Sequence, residues 1–320
     1  MKISTLAALV LSFAATSLAY AQSYPAKTVR IIVGLAPGGT TDVFTRTLAQ
    51  RLTEAWGQTV IVENRPGASG MIGAEAVAKS APDGYTLLVS PQTSLAVAPA
   101  LYGKAPYDTA KDFAPVSLLG STPLVMIVHP SFAAKTFAEF MALARKGTPL
   151  TYGSGGVGSS PHMTGELLSA ALGVKMNHVP YKGENPAIAD TIGGQIPIMF
   201  GNLPVALPHV RSGKVVALAT TTAKRSPLAP EIPTMSEGGI QDFEMATWYG
   251  MLAPAGTPPE LVARIQRDSA RVLSDTQTRE RLTQMGVDLI LNTPEEFRAY
   301  LNSEIARYTR IIKSAGLKAE

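Results

Sequence analysis

"YGSGGVGSSPH", residues 152–162, carries Gly153, Gly155 and Gly158 in the G-x-G-x-x-G spacing of a dinucleotide-binding turn. A short apolar run precedes it and a helical pattern follows, so it reads as strand, glycine turn, helix start. A nucleotide site also needs an acid about 20 positions on, to hold the ribose hydroxyl. That position falls in "NHVPY", and the next acid after it is Glu184. No Walker A sequence occurs. Two readings remain, a connection without ligand and an anion site. Glycines let the backbone come close to a ligand, and the N–H groups of the following helix point outward at its positive end. Ser159 or Ser160 would cap that helix, and Pro161 suits its first position.

The same grammar stands earlier in the chain. "VRIIVGLAPGGTTD", from Val29, is again apolar strand, glycine turn and hydroxyl-bearing helix start. Between and after these stretches, apolar runs of strand length alternate with helical patterns, which predicts α/β layers with mostly parallel sheet. A helix is expected over 41–56, with Phe44, Leu48, Leu52 and Ala55 on one stripe and Gly57 as its stop. Further helices are expected over 71–79, 137–145, 161–172 and 186–192. The long apolar run "VSLLGSTPLVMIVHP" and the later "FEMATWYGMLAPAG" mirror each other and read as two chain crossings between lobes. Thr293-Pro294-Glu295-Glu296 is a capping box that opens a last helix, ended by Gly316.

The first residues point to export. Met1-Lys2 is a short positive start, residues 3–19 are apolar or small without an acid, and Ala19-Tyr20-Ala21 fits a cleavage site. A signal peptide over 1–21 is expected, with a mature chain from Gln22 in the periplasm. Without Lys2, 27 basic residues face 24 acidic ones, with no basic block. The footprint of a nucleic-acid binder is missing. There is no cysteine, hence no disulfide, thiolate nucleophile or cysteine metal site.

Catalytic patterns are scarce. Of His129, His162, His178 and His209, only His162 adjoins the glycine loop; the others read as structural or solvated. No G-x-S-x-G elbow, H-E-x-x-H or EF-hand pattern occurs. Asp42, at a helix start, reads more readily as a cap than as one of a catalytic pair. The expectation is a binding pocket with no catalytic residue, metal or cofactor. The alternative is a hydrolase or lyase using His162 with a nearby serine.

"YPAKTVRIIVGLAPGGTTD", "GQTVIVENRPGASGMIGAEAVAKSAPDGYTLL", "YDTAKDFAPVSLLGSTPLVMIV", "LTYGSGGVGSSPHMTGELL", "HVPYKGENPAIADTIGGQI" and "LAPAGTP" follow one another in order. With these motifs the chain resembles the tripartite tricarboxylate transporter substrate-binding proteins, the Bug family of Gram-negative bacteria, over essentially all of its mature length. The resemblance implies a type II-like periplasmic binding protein fold of two α/β lobes, one over 22–121 and 241–320, the other over 122–240. The lobes would close on a small organic carboxylate, whether a mono- or dicarboxylate, an acidic amino acid or an aromatic acid. The protein, expected to be a monomer, would deliver this ligand to a membrane permease. The family's ligand loops correspond to Pro37, Gly38, Gly39, Thr40, Thr41 and Asp42, and to the segment with Ser154, Gly155, Gly158, Ser159 and Ser160. His162 adjoins that second loop.

Other residues are placed in the cleft by their positions. Ala68, Ser69 and Gly70 begin the helix after the second strand. Gln92 and Thr93 follow the third strand, at the end where open α/β sheets bind ligands. Gly183 and Asn185 stand at another helix start, with Asn185 a candidate cap. Asn202 follows a glycine, and Trp248 lies beside the return crossing. Gly34-Leu35-Ala36 departs from the family's usual proline and aromatic, which reshapes one wall. Hinges are expected around 120–123 and before Trp248.

Overall fold

The computed structural model describes residues 24–317; the expected signal peptide lies outside the described residues. The strands are β1 (Val29–Val33), β2 (Val60–Asn64), β3 (Thr86–Pro91), β4 (Phe113–Val128), β5 (Leu150–Ser154), β6 (Met176–Pro180), β7 (Ile198–Asn202), β8 (Val216–Thr220), β9 (Ala246–Pro254) and β10 (Asp288–Leu289). The helices are α1 (Thr40–Trp56), α2 (Met71–Ala78), α3 (Ala98–Tyr102), α4 (Phe137–Arg145), α5 (Ser160–Leu172), α6 (Glu184–Ile192), α7 (Leu203–Arg211), α8 (Pro259–Leu273), α9 (Thr276–Gln284) and α10 (Pro294–Ala315).

Two sheets share β4. Its first part pairs with β9 from Phe113 to Pro123, and its second part with β7 and β8 from Leu124 to Val128. The first sheet runs β2-β1-β3-β9-β4, and the second continues β4-β7-β5-β6. β2-β1-β3 and β6-β5-β7 are parallel, as alternating strand and helix dictate. The sheets are mixed rather than uniformly parallel, because β4 and β9 run against their neighbours. The two crossings are hydrogen-bonded to each other, with Gly120 opposite Tyr249 and Thr122 opposite Thr247.

The second part of β4, Leu124 to Val128, is apolar without a break because both its faces are covered. Leu124, Met126 and Val128 join one core, and Val125 and Ile127 join another on the opposite face. The period of α1 does the same for the first sheet: Phe44, Leu48 and Leu52 pack on Val29 and Ile31, while Ala55 is exposed. Burying each such large side chain contributes roughly 1.5–3 kcal/mol. The Thr293–Glu296 capping box forms as the sequence demands, and α10 packs over β4 and α5. α7 was not foreseen in the sequence. It carries Pro204 in its first turn and Pro208 in its interior, and so lacks the usual helical signature. No described helix is long and apolar enough to cross a membrane.

Candidate functional site

Four helix starts converge on one cavity of about 520 Å³. The first turn of α1 supplies Thr40, Thr41 and Asp42 from the first sheet's side. From the second come Ser160 and Pro161 of α5, Glu184 and Asn185 of α6, and Asn202 and Val205 at the start of α7. Gly39, Gly183 and Asn202, the residues preceding α1, α6 and α7, make no side-chain cap. The first N–H groups of a helix have no partner within it, so the ends of α1 and α6 are open to a ligand, while the Asn202 N–H before α7 is taken by Glu184. Each end favours a negative charge by roughly 0.3–1 kcal/mol, and by about 2 when partly buried.

Asp42 does not compete for that role. Its carboxylate accepts the Gly38 N–H at 3.0 Å, Arg46 Nε at 3.0 Å and Asn64 Nδ2 at 2.9 Å. Burial works against its charge, yet these bonds outweigh it and hold the carboxyl below its ordinary range. Asp42 thus staples the first glycine loop to the helix that follows. In the second loop Ser159 is the cap, accepting the His162 N–H at 3.3 Å.

Gly38, Gly39, Thr40, Thr41, Asp42, Thr93, Gly155, Ser159, Ser160, Gly183, Asn185 and Asn202 all line this cavity. The other candidates do not, and each has a reason. Pro37 points to solvent. Ala68, Ser69 and Gly70 form a tight turn at positive φ whose backbone packs on Gly34. Gln92 is fully buried: its amide donates to Ser160 Oγ at 2.6 Å and to the Ala246 carbonyl, and its oxygen accepts the Trp248 N–H. It joins the end of β3 to the start of α5, across the two sheets. Gly158 lies against Val97 and Leu101 at a φ of 76°, a conformation that favours glycine. Asn185 is the second residue of α6 rather than its cap.

His162, Ser154 and Trp248 are likewise in the fabric. His162 Nδ1 accepts the Gly158 N–H at 3.0 Å, its ring stacks on His178, and its Nε2 is 3.7 Å from Glu166. Burial and the neighbouring His178 push its pKa down to about 3; burial alone takes His178 to about 4. The serine hydroxyl against a histidine ring near this loop is Ser154, whose Oγ is 2.7 Å from His178 Nε2, and Ser154 is itself fully buried. Ser160 instead faces Gln92, so the pairing a His162 hydrolase would need is not formed. Trp248 is 1% exposed, with its indole N–H donated to Glu304.

Leu35 and Ala36, read as part of one wall, do line the cavity, as does Glu184 at the α6 start; the sequence reading missed Pro91, Pro161, Lys182, Pro186, Val205 and Thr247. One signal was available. Successive residues of a strand face opposite ways, so with Trp248 in one core Thr247 reaches the cleft, while Tyr249, equally buried, packs on Phe44 at the cavity's floor. Glu184 accepts Asn202 Nδ2 at 2.6 Å and the Asn202 N–H at 3.3 Å, while Asn202 Oδ1 accepts from Thr247.

Two α/β lobes on a shared strand, with helix starts from both turned on one cavity, are the arrangement of a two-lobed solute-binding protein. The chain belongs to the tripartite tricarboxylate transporter family of receptors, whose profile matches residues 44–317. It is similar to the periplasmic binding protein BugD, at 34% identity and a TM-score of 0.79 over 93% of this chain and 100% of that one. An R. palustris protein solved with adipate is 34% identical, with a TM-score of 0.81 over 92% and 99% of the two chains. MatC from Rhodopseudomonas palustris, solved with bound malate, is 33% identical, with a TM-score of 0.78 over 90% and 100%.

Proposed function

We propose that this chain is the periplasmic binding subunit of a tripartite transporter, exported by a signal peptide over 1–21. It takes up a small organic carboxylate between its lobes and delivers it, as a monomer, to a membrane permease. The lobes comprise 22–121 with 241–320, and 122–240. The observation that carries the reading is the convergence of uncapped helix starts from both sheets on one cavity. The adipate and malate in two relatives support a carboxylate as the ligand. Gly38, Gly39, Thr40 and Thr41 hold it from one side, and Gly155, Ser159, Ser160 and Gly183 from the other. Backbone bonds to a charged group contribute roughly 1.5–3 kcal/mol each.

A thermal-shift screen of mono-, di- and tricarboxylates, amino acids and aromatic acids tests this. At about 100 times its Kd a ligand stabilises the fold by roughly 2.7 kcal/mol. At least one acid raises the melting temperature and its methyl ester does not. Equal shifts from acid and ester would remove the anion site.

A further inference from the structure

The cavity that favours an anion also contains a carboxylate with no counter-ion. Four titratable side chains line it: Asp42, Lys182, Glu184 and Tyr249. Asp42 is paired with Arg46, and Lys182 is exposed. Burial raises the Tyr249 hydroxyl far above its ordinary range, so it stays neutral. Glu184 has no basic side chain within salt-bridge distance among the described residues, and its partners are the neutral N–H groups of Asn202.

The surroundings keep Glu184 an acceptor. Thr247 occupies the Asn202 amide oxygen, so the amide NH2 must turn toward the carboxylate. The short 2.6 Å contact suits a charge-assisted bond. A carboxylate offers about four lone-pair sites, and Asn202 does not fill them. The side chain also lies against Gly155, where an added Cβ would meet Glu184 Cγ at 3.3 Å. Glu184 therefore stands beside the glycine loop that would receive the ligand's negative end.

Resting on the carboxylate reading above, we propose that the ligand is a zwitterion. Its carboxylate lies at the helix starts, and a positively charged N–H group on the same molecule is taken by Glu184. A purely anionic ligand would face an uncompensated carboxylate at close range, whereas an ammonium supplies the charge that the protein withholds. Burial, opposed by the Asn202 bonds, pushes the Glu184 carboxyl up to about 7. A bound cation pulls it down again and expels a proton near neutral pH.

Calorimetry on the mature protein with matched pairs decides the matter: glutamate against glutarate, aspartate against succinate, 4-aminobutanoate against butanoate and 6-aminohexanoate against hexanoate. The amino member of at least one pair binds about tenfold tighter or more, as one charge-assisted bond implies. Its enthalpy varies with buffer ionisation in the sense of proton release. In Glu184→Gln, of nearly the same shape, that preference collapses while the melting temperature of the empty protein is kept or raised. Tighter binding of the amine-free acids with proton uptake, or a preference intact in Glu184→Gln, overturns the proposal and leaves the carboxylate reading standing. If no acid with or without an amine binds, the carboxylate reading itself fails.

Discussion

The two glycine loops share a grammar and use their glycines differently. In the first, Cβ atoms built on Gly38 and Gly39 meet nothing within 4 Å. In the second, a Cβ on Gly155 would press on Glu184, and those on Gly156 and Gly158 on Tyr181 and Leu101. Glycine thus leaves room in front of α1, whereas in front of α5 it lets segments of chain pack together. The stabilising groups differ as well: a charged carboxylate, Asp42, fixes the first loop, and a hydroxyl and a neutral imidazole fix the second. A motif read as one device turns out to be two.

The largest difference is expected from valine in the two loops, at Gly39 just before α1 and at Gly155 further ahead of α5. Gly39 has φ −77° and ψ 168°, a conformation any residue adopts, with open space ahead. Gly39→Val fills the cavity and removes carboxylate binding by calorimetry, while stability stays within about 0.5 kcal/mol. Gly155→Val loses binding and also destabilises by about 1–3 kcal/mol, since the chain at Gly183 and Glu184 must give way. Equal melting temperatures for the two variants would break the comparison.

A smaller contrast separates the two anchors. Asp42→Asn brings an amide among three donors inside the fold and costs about 1–3 kcal/mol in chemical denaturation. Ser159→Ala removes one neutral cap and costs about 1 kcal/mol. A costlier serine variant would reverse the assigned roles.

The smallest effect is local and set by acid. His162 and His178 have folded pKa values below the ordinary 6.5, near 3 and 4. Their contribution is complete above pH 6.5 and is lost as pH falls toward those values. Asp42 contributes above its ordinary 3.8 and is lost only below that. Glu184, raised to about 7, acts in the opposite sense, its contribution present at low pH and lost as pH rises. A global melting curve mixes these signs, so the amide resonances report better. The Gly158 amide holds its position down to about pH 4 and shifts as pH falls toward 3, where His162 protonates and its bond to that amide is lost. A Gly158 shift already complete by about pH 5 would contradict the assignment.

Much of this was legible because period is a strong signal. α4 and β5 fall where the sequence places them, and both glycine turns open helices. What was hidden depends on facts a linear pattern does not carry. α7 is held by packing on β4 despite two prolines, so tertiary contact overrides propensity. Strand parity sends Trp248 and Tyr249 into different cores and leaves only Tyr249 touching the cavity, which composition does not reveal. His162 adjoins the loop in sequence, but its helix turns the ring toward His178 and away from the cleft. Glu184 was visible as part of a helix start; its lack of a counter-ion emerges only once the lobes are assembled.

The position of β9 sets the order in which the molecule can be completed. Every ladder of the second sheet closes among residues 124–220, whereas the first sheet waits for β9 to enter between β3 and β4. Leu88 must find Leu252 across the whole intervening lobe. A chain delivered amino end first therefore keeps an apolar edge of β3 open while more than a hundred further residues arrive. Such edges are where chains pair wrongly, and distant pairings form slowly. The interleaving that makes two lobes one molecule also makes the half that emerges first the half that finishes last.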